Sequence, residues 1–161
     1  MKTLLPFLFY ALPEAFLLII AALGLLGLRI RPGRLGITGL GLSILAEVTR
    51  FFLFDKGLHT PIILIGLTIS LVFGFQLSWP TAVTGCFLSF FLLLMGESLL
   101  AVPVLILTKT SYQTTLANPW LHTAFGWLSA GFLVIASLVC HLGKVALIRA
   151  PESQQTEGSI K

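Results

Sequence analysis

Charge is what this chain has least of. Ten Lys and Arg and six Asp and Glu make up 10% of 161 residues, against about 25% in soluble globular domains. Sixteen charges cannot coat a soluble fold of this length, which excludes a soluble cytosolic enzyme. The same shortage, joined to 57% apolar residues, excludes a disordered chain, because such chains are polar and poor in bulky apolar groups. Cysteine is scarce too. Cys86 and Cys140 both lie in apolar runs, too few for a disulfide framework or a zinc site, and they read as buried thiols acting as small hydrophobes. Aspartate occurs once, at Asp55, which excludes an intramembrane protease built on two helical Asp residues. His-Glu-x-x-His, Gly-x-Ser-x-Gly, phosphate-loop and Cys-His patterns are all missing, so the chain reads as non-enzymatic. No cofactor and no metal is implied, and His59, His122 and His141 are scattered along the chain. The net charge of +4 and pI near 9.4 come without basic–aromatic interleaving, so no nucleic-acid partner is expected.

What is present is long apolar sequence, with a mean hydropathy of +1.01. A hydrocarbon core about 30 Å thick needs about 20 apolar residues per helix. Five segments meet that length, at about residues 4–28, 35–54, 61–79, 81–107 and 121–142. The expected fold is all-α: a polytopic membrane protein, a bundle of about five transmembrane helices within residues 1–149, with the lipid bilayer as its solvent. Residues 150–161 are polar and are expected to form a disordered cytoplasmic tail. The first segment is too long for a signal-peptide core of about 7–15 residues and is read as a retained helix. Trp79-Pro80 reads as a tight turn at an interface.

Basic residues orient the chain. Arg29, Arg31, Arg34, Lys144, Arg149 and Lys161 fall on one side and Lys2, Lys56 and Lys109 on the other. Six against three places the N-terminus outside and the C-terminus in the cytoplasm of a plasma or inner membrane.

Twelve charges lie in loops, helix flanks and tail. Glu14, Glu47, Arg50 and Glu97 lie inside apolar runs, where an ionisable group costs about 2.5–3.5 kcal/mol on insertion scales and marks a functional site by default. Glu47 and Arg50, three residues apart, share a helix face with Ser43, and an internal Glu47–Arg50 pair is the cheapest explanation. All four charges lie toward the outer side in this topology, with His59 at the mouth of the zone. Three carboxylates against one guanidinium suit a cation, a proton or an amine. The structural alternative has Arg50 neutralise Glu47 and Glu97 to hold three helices in register, with Glu14 protonated. Pro13 and Pro103 leave the carbonyls of Phe9 and Leu99 without their helical donors. Gly66, Ser70 and Gly74 form a small-residue packing face on the third segment. Gly85, Ser89 and Gly96 make a looser one on the fourth, and the two faces are expected to pack on each other. Residues 109–120 read as an interfacial connection or as a lid over the outer zone.

Several short motifs in order carry a resemblance: Leu12-Pro13-Glu14-Ala15, Gly57-Leu58-His59-Thr60, Trp79-Pro80, Gly96-Glu97 and Ala117-Asn118-Pro119-Trp120. Together they resemble the multispan membrane sensor region of sporulation-type and peptide-quorum-sensing histidine kinases of Gram-positive bacteria. The resemblance covers most of the membrane portion and marks Glu14, His59, Glu97 and Asn118-Pro119-Trp120 for testing. No kinase domain follows residues 150–161, so it implies at most an orphan or split sensor module working through a separate cytoplasmic signalling protein. The expected function is therefore a sensor-like or partner-binding module. The alternatives are a solute-binding component of a transporter, which would need another membrane subunit, and a structural assembly factor without a ligand.

Overall fold

The computed structural model describes residues 7–53, 59–109, 114–115 and 118–143. Among the described residues there is no strand, and the chain forms helices α1 (Phe7–Leu25), α2 (Pro32–Leu53), α3 (His59–Gly74), α4 (Trp79–Thr108), α5 (Pro119–Ser129) and α6 (Gly131–Gly143). By length and composition α1, α2 and α4 can each cross a membrane, and α5–α6 adds a fourth span if the bent pair counts as one. The third segment is shorter than its apolar run suggested. At about 1.5 Å per residue its 16 residues reach only about 24 Å, short of the hydrocarbon core. The fifth is broken, with a bend of 44° at Ala130, where Ser129 and Gly131 flank the break as kinked helices often show. The expected tail at residues 150–161 lies outside the described residues.

Local chemistry sets the helix ends. α1 stops at Leu25, earlier than residue 28, because Gly27 takes a left-handed φ of 68°. Its N–H reaches Gly24 O, and Leu28 N–H reaches Leu23 O at 2.8 Å, the paired bonds of a Schellman cap. Trp79-Pro80 is not the turn. Both residues open α4, as suits Pro at a helix start, and the reversal falls on 76–78 with Gln76 left-handed at φ 58°. Arg34, on the first turn of α2, clasps that reversal through Gln76 Oε1 at 3.1 Å and the Gly74 carbonyl.

α1 is the central helix. It packs on α2, α4 and α6, and Leu18, Ile19, Ala21, Ala22 and Leu23 are buried. Being apolar on every side from Ala15 to Leu25, it can be enclosed by neighbours there. The outer helices turn large apolar groups outward, among them Ile37, Phe51, Phe73, Phe87 and Ile135, as a lipid-facing surface requires.

α1 runs antiparallel to α2 and parallel to α6. The Tyr10 end of α1 meets the Arg50 end of α2, and Gly24 at its other end meets Cys140 and His141 of α6. The small-residue faces do not pack on each other. Gly66 meets Leu42 and Leu45 of α2, Gly74 meets Thr38 of α2, Gly85 meets Leu26, and Gly96 meets the Ser129 carbonyl. Each glycine admits a different neighbour, because close approach is decided by whichever helix lies opposite it. Ser70 sits half-buried where α3 widens into a π-helical turn, Ser70–Gly74.

Candidate functional site

Two prolines shape one end of the bundle. Pro13 lacks an N–H, and the turn before it, Phe7–Ala11, is widened to π-helix. The Phe9 carbonyl that Pro13 cannot satisfy takes a hydrogen bond from Trp127 Nε1–H of α5 at 2.8 Å, the kind of interhelical rescue that makes Pro tolerable in membrane helices. Pro103 does the same to α4. The turn Glu97–Ala101 is again π-helical, closed by Val102 N–H on Glu97 O. Single π turns concentrate at functional sites, and here the two face one space. Trp127→Phe removes the rescue bond while keeping an aromatic ring. We expect it to cost about 0.5–1.5 kcal/mol, read by unfolding in mixed micelles.

The first carboxylate is committed to a partner. Glu14, 5% exposed on α1, receives Arg50 Nη2 of α2 at 2.6 Å on Oε2 and the Tyr10 hydroxyl at 3.1 Å on Oε1. Tyr10 lies four residues before Glu14 on the same face. The Arg50 guanidinium rests 5.0 Å above the Tyr10 ring, within cation–π range, and that ring also meets the imidazole of His122 on α5, tilted, at 5.2 Å. Gly126 leaves room for the Tyr10 ring, which a Cβ there would strike. Two expectations are corrected here. Arg50 pairs with Glu14 rather than with Glu47, and Glu14 is an ion-pair partner rather than a lone protonated acid. An interhelical contact brings the guanidinium end-on to the Glu14 carboxylate, which spacing along α2 alone does not reveal. Ser43 returns its hydroxyl to the Leu40 carbonyl and adds nothing to the polar stripe.

Around this network lies a cavity of about 770 Å³. Glu14, Glu47, Arg50, His59 and Glu97, all read from the sequence, line it together, joined by Tyr10, Thr60, Thr115 and His122. They come from α1, α2, α3, α4, α5 and the connection before α5. Glu47 is half-buried and Glu97 exposed. Among the described residues Glu14–Arg50 is the one ion pair, so no Lys or Arg nitrogen lies within 4 Å of Glu47 or Glu97. The rest of the lining is largely apolar, with Leu18, Leu42, Ile63, Phe90, Leu93 and Phe125. Asn118 caps α5 by accepting from Trp120 N–H at 3.1 Å and does not line the cavity. Half of residues 109–120, read as a connection or lid, lies outside the described residues. Thr115 is buried at the cavity wall.

Sequence reasoning missed Tyr10 and His122. Tyr10 was signalled by its i, i+4 relation to Glu14. His122 carried no signal, since its place depends on how α5 packs. Compared with protein-family models, curated proteins and solved structures, the chain matches none. The site is therefore judged on its own chemistry. It offers fixed negative charge, one compensated guanidinium and apolar walls, an arrangement suited to holding a ligand.

Proposed function

We propose that this chain is a multispan integral membrane protein of the plasma or inner membrane, a non-enzymatic, sensor-like module that holds a small ligand in an outward-facing cavity. One observation carries the reading: charged residues from α1, α2 and α4 converge on a single cavity although each is costly inside an apolar segment, and His59 at the start of α3 joins them. Arg29, Arg31 and Arg34 lie at the end of the bundle away from that cavity, which supports a cytoplasmic position for that end under the positive-inside rule. The five spans of the sequence reading, with α3 and α5–α6 crossing in bent or shortened form, place the N-terminus outside and the C-terminus inside. The resemblance of its short motifs to kinase sensor regions is what supports a signalling role through a cytoplasmic partner. A solute-binding transport component has the same cavity, and co-purification of an energised coupling subunit would favour it.

Labelling tests the placement. In a Cys86→Ala/Cys140→Ala background, Thr60→Cys at the cavity should react with a membrane-impermeant maleimide on intact cells. Ser78→Cys at the opposite end should react only after permeabilisation. The reverse pattern would overturn the outward-facing reading.

A further inference from the structure

We infer that the cavity takes an amphipathic amine, its ammonium group held by Glu47 and Glu97 and its apolar body lying against Leu18, Leu42, Phe90 and Leu93. This rests on the ligand-holding reading above and deepens it by assigning the chemical class.

Charge comes first. The Glu14 carboxylate and the Arg50 guanidinium satisfy each other, with Tyr10 sealing both through its hydroxyl and its ring. That pair is a fixed part of the wall with no spare charge to offer. Glu47 and Glu97 line the same space with no cationic side chain within ion-pairing distance among the described residues. The uncompensated charge facing the ligand is therefore negative. An anion would be repelled, and a neutral molecule would leave both carboxylates without a counter-charge.

Size comes second. A water-sized ion occupies about 30 Å³, whereas about 770 Å³ is open here, within the range of small-molecule pockets at about 300–1,000 Å³. Among the described residues no three His, Cys, Asp or Glu side chains gather as a metal-ligand set, which disfavours a bare metal cation. An ammonium group makes no such demand, since its three N–H donors can be shared between two carboxylates and a hydroxyl. Thr60 supplies a hydroxyl to the same lining.

The shape of α4 is the third observation. The π turn begins at Glu97 itself, and the residues above and below it on the lining, Leu93, Leu94 and Ala101, are apolar. A single carboxylate is thus set into an otherwise greasy face. The ligand this matches carries one cationic end and an apolar remainder.

The test uses the full chain in lipid nanodiscs, with titration calorimetry at pH 7 and empty nanodiscs subtracted. Three probes of similar size differ only in the head group: 2-phenylethylamine, 3-phenylpropanoate and 2-phenylethanol. The amine should bind at least about tenfold more tightly than the other two, and Glu47→Gln or Glu97→Gln should each weaken it by about tenfold while barely changing the alcohol. If a Gln variant fails to fold, the Asp variant at the same position keeps the charge with a shorter reach, and intermediate weakening is expected. Equal binding of alcohol and amine, or preference for the carboxylate, would overturn the amine assignment and leave a ligand cavity of another class. No binding of any probe with Thr60→Cys still labelled from outside would also overturn the assignment. No binding with Thr60→Cys unreactive would take the ligand-holding reading down with it.

Discussion

Glu14→Met should lower the stability of the bundle by about 3 kcal/mol, because removing one partner of a buried pair strands the other. Glu14 is 6% exposed at its side chain and Arg50 20%, so the guanidinium left behind stays largely out of water. Arg50→Met should be comparably harmful, since it leaves the Glu14 carboxylate with the Tyr10 hydroxyl alone. The informative variant is the double one. Glu14→Met with Arg50→Met removes both charges and fills the space with apolar side chains, which buried pairs often tolerate. It should therefore be more stable than either single variant. Unfolding in mixed micelles, run as a double-mutant cycle, measures the coupling. Strict additivity of the two single effects would show that the pair contributes nothing as a pair. The two helices concerned are α1 and α2, so the loss should also appear as faster labelling of a cysteine on their shared face.

Gly96→Ala should be the second large effect, and adding one methyl group makes it unusual. Gly96 lies where α4 meets the break between α5 and α6, and a Cβ built there falls inside the van der Waals shell of the Ser129 carbonyl oxygen. The obstacle is backbone, not the flexible end of a side chain. Relief thus requires α4 to move away from α5, and over-packing of this kind costs about 1–3 kcal/mol or more. Since the next residue is Glu97, the shift should also disturb the cavity wall. Gly41→Ala is the matched control: a Cβ at Gly41 meets nothing within 4 Å, and Ala in mid-helix gains about 1 kcal/mol of propensity over Gly. A thermal unfolding comparison should find Gly96→Ala clearly destabilised and Gly41→Ala unchanged or improved. Equal behaviour would mean that the close α4–α5 approach does not hold.

Much of this arrangement was readable from the residues. The apolar runs mark the helices, and the prolines mark two of the widened turns. The five residues proposed for the site line one cavity, and for four of them the rule that a charge in a greasy segment turns toward the bundle interior needs no tertiary information. Helix ends were less legible. Residues 61–79 are apolar almost throughout, and hydropathy does not register that the backbone turns over at Gln76. The bend at Ala130 had only a weak signal, the Ser129 and Gly131 that flank it.

Partner choice was the least legible feature. The i, i+3 rule places Glu47 beside Arg50, yet Arg50 takes Glu14 across the helix interface. Likewise Gly66 and Gly74 announce close packing without saying against what. Such choices depend on the distance and angle between helices, and those are fixed by all the contacts of the bundle together.

The shortage of charge, read alone, pointed to helices long and apolar enough to cross a membrane and singled out Glu14, Glu47, Arg50 and Glu97 as needing an explanation. Side-chain type and the period of the helix suffice for both conclusions. Only the tertiary structure decided that α1 is the enclosed helix, that one of three carboxylates is neutralised, and that the other two line an open cavity. Those outcomes turn on which helix faces reach each other, and that is a property of the packed bundle rather than of any one segment.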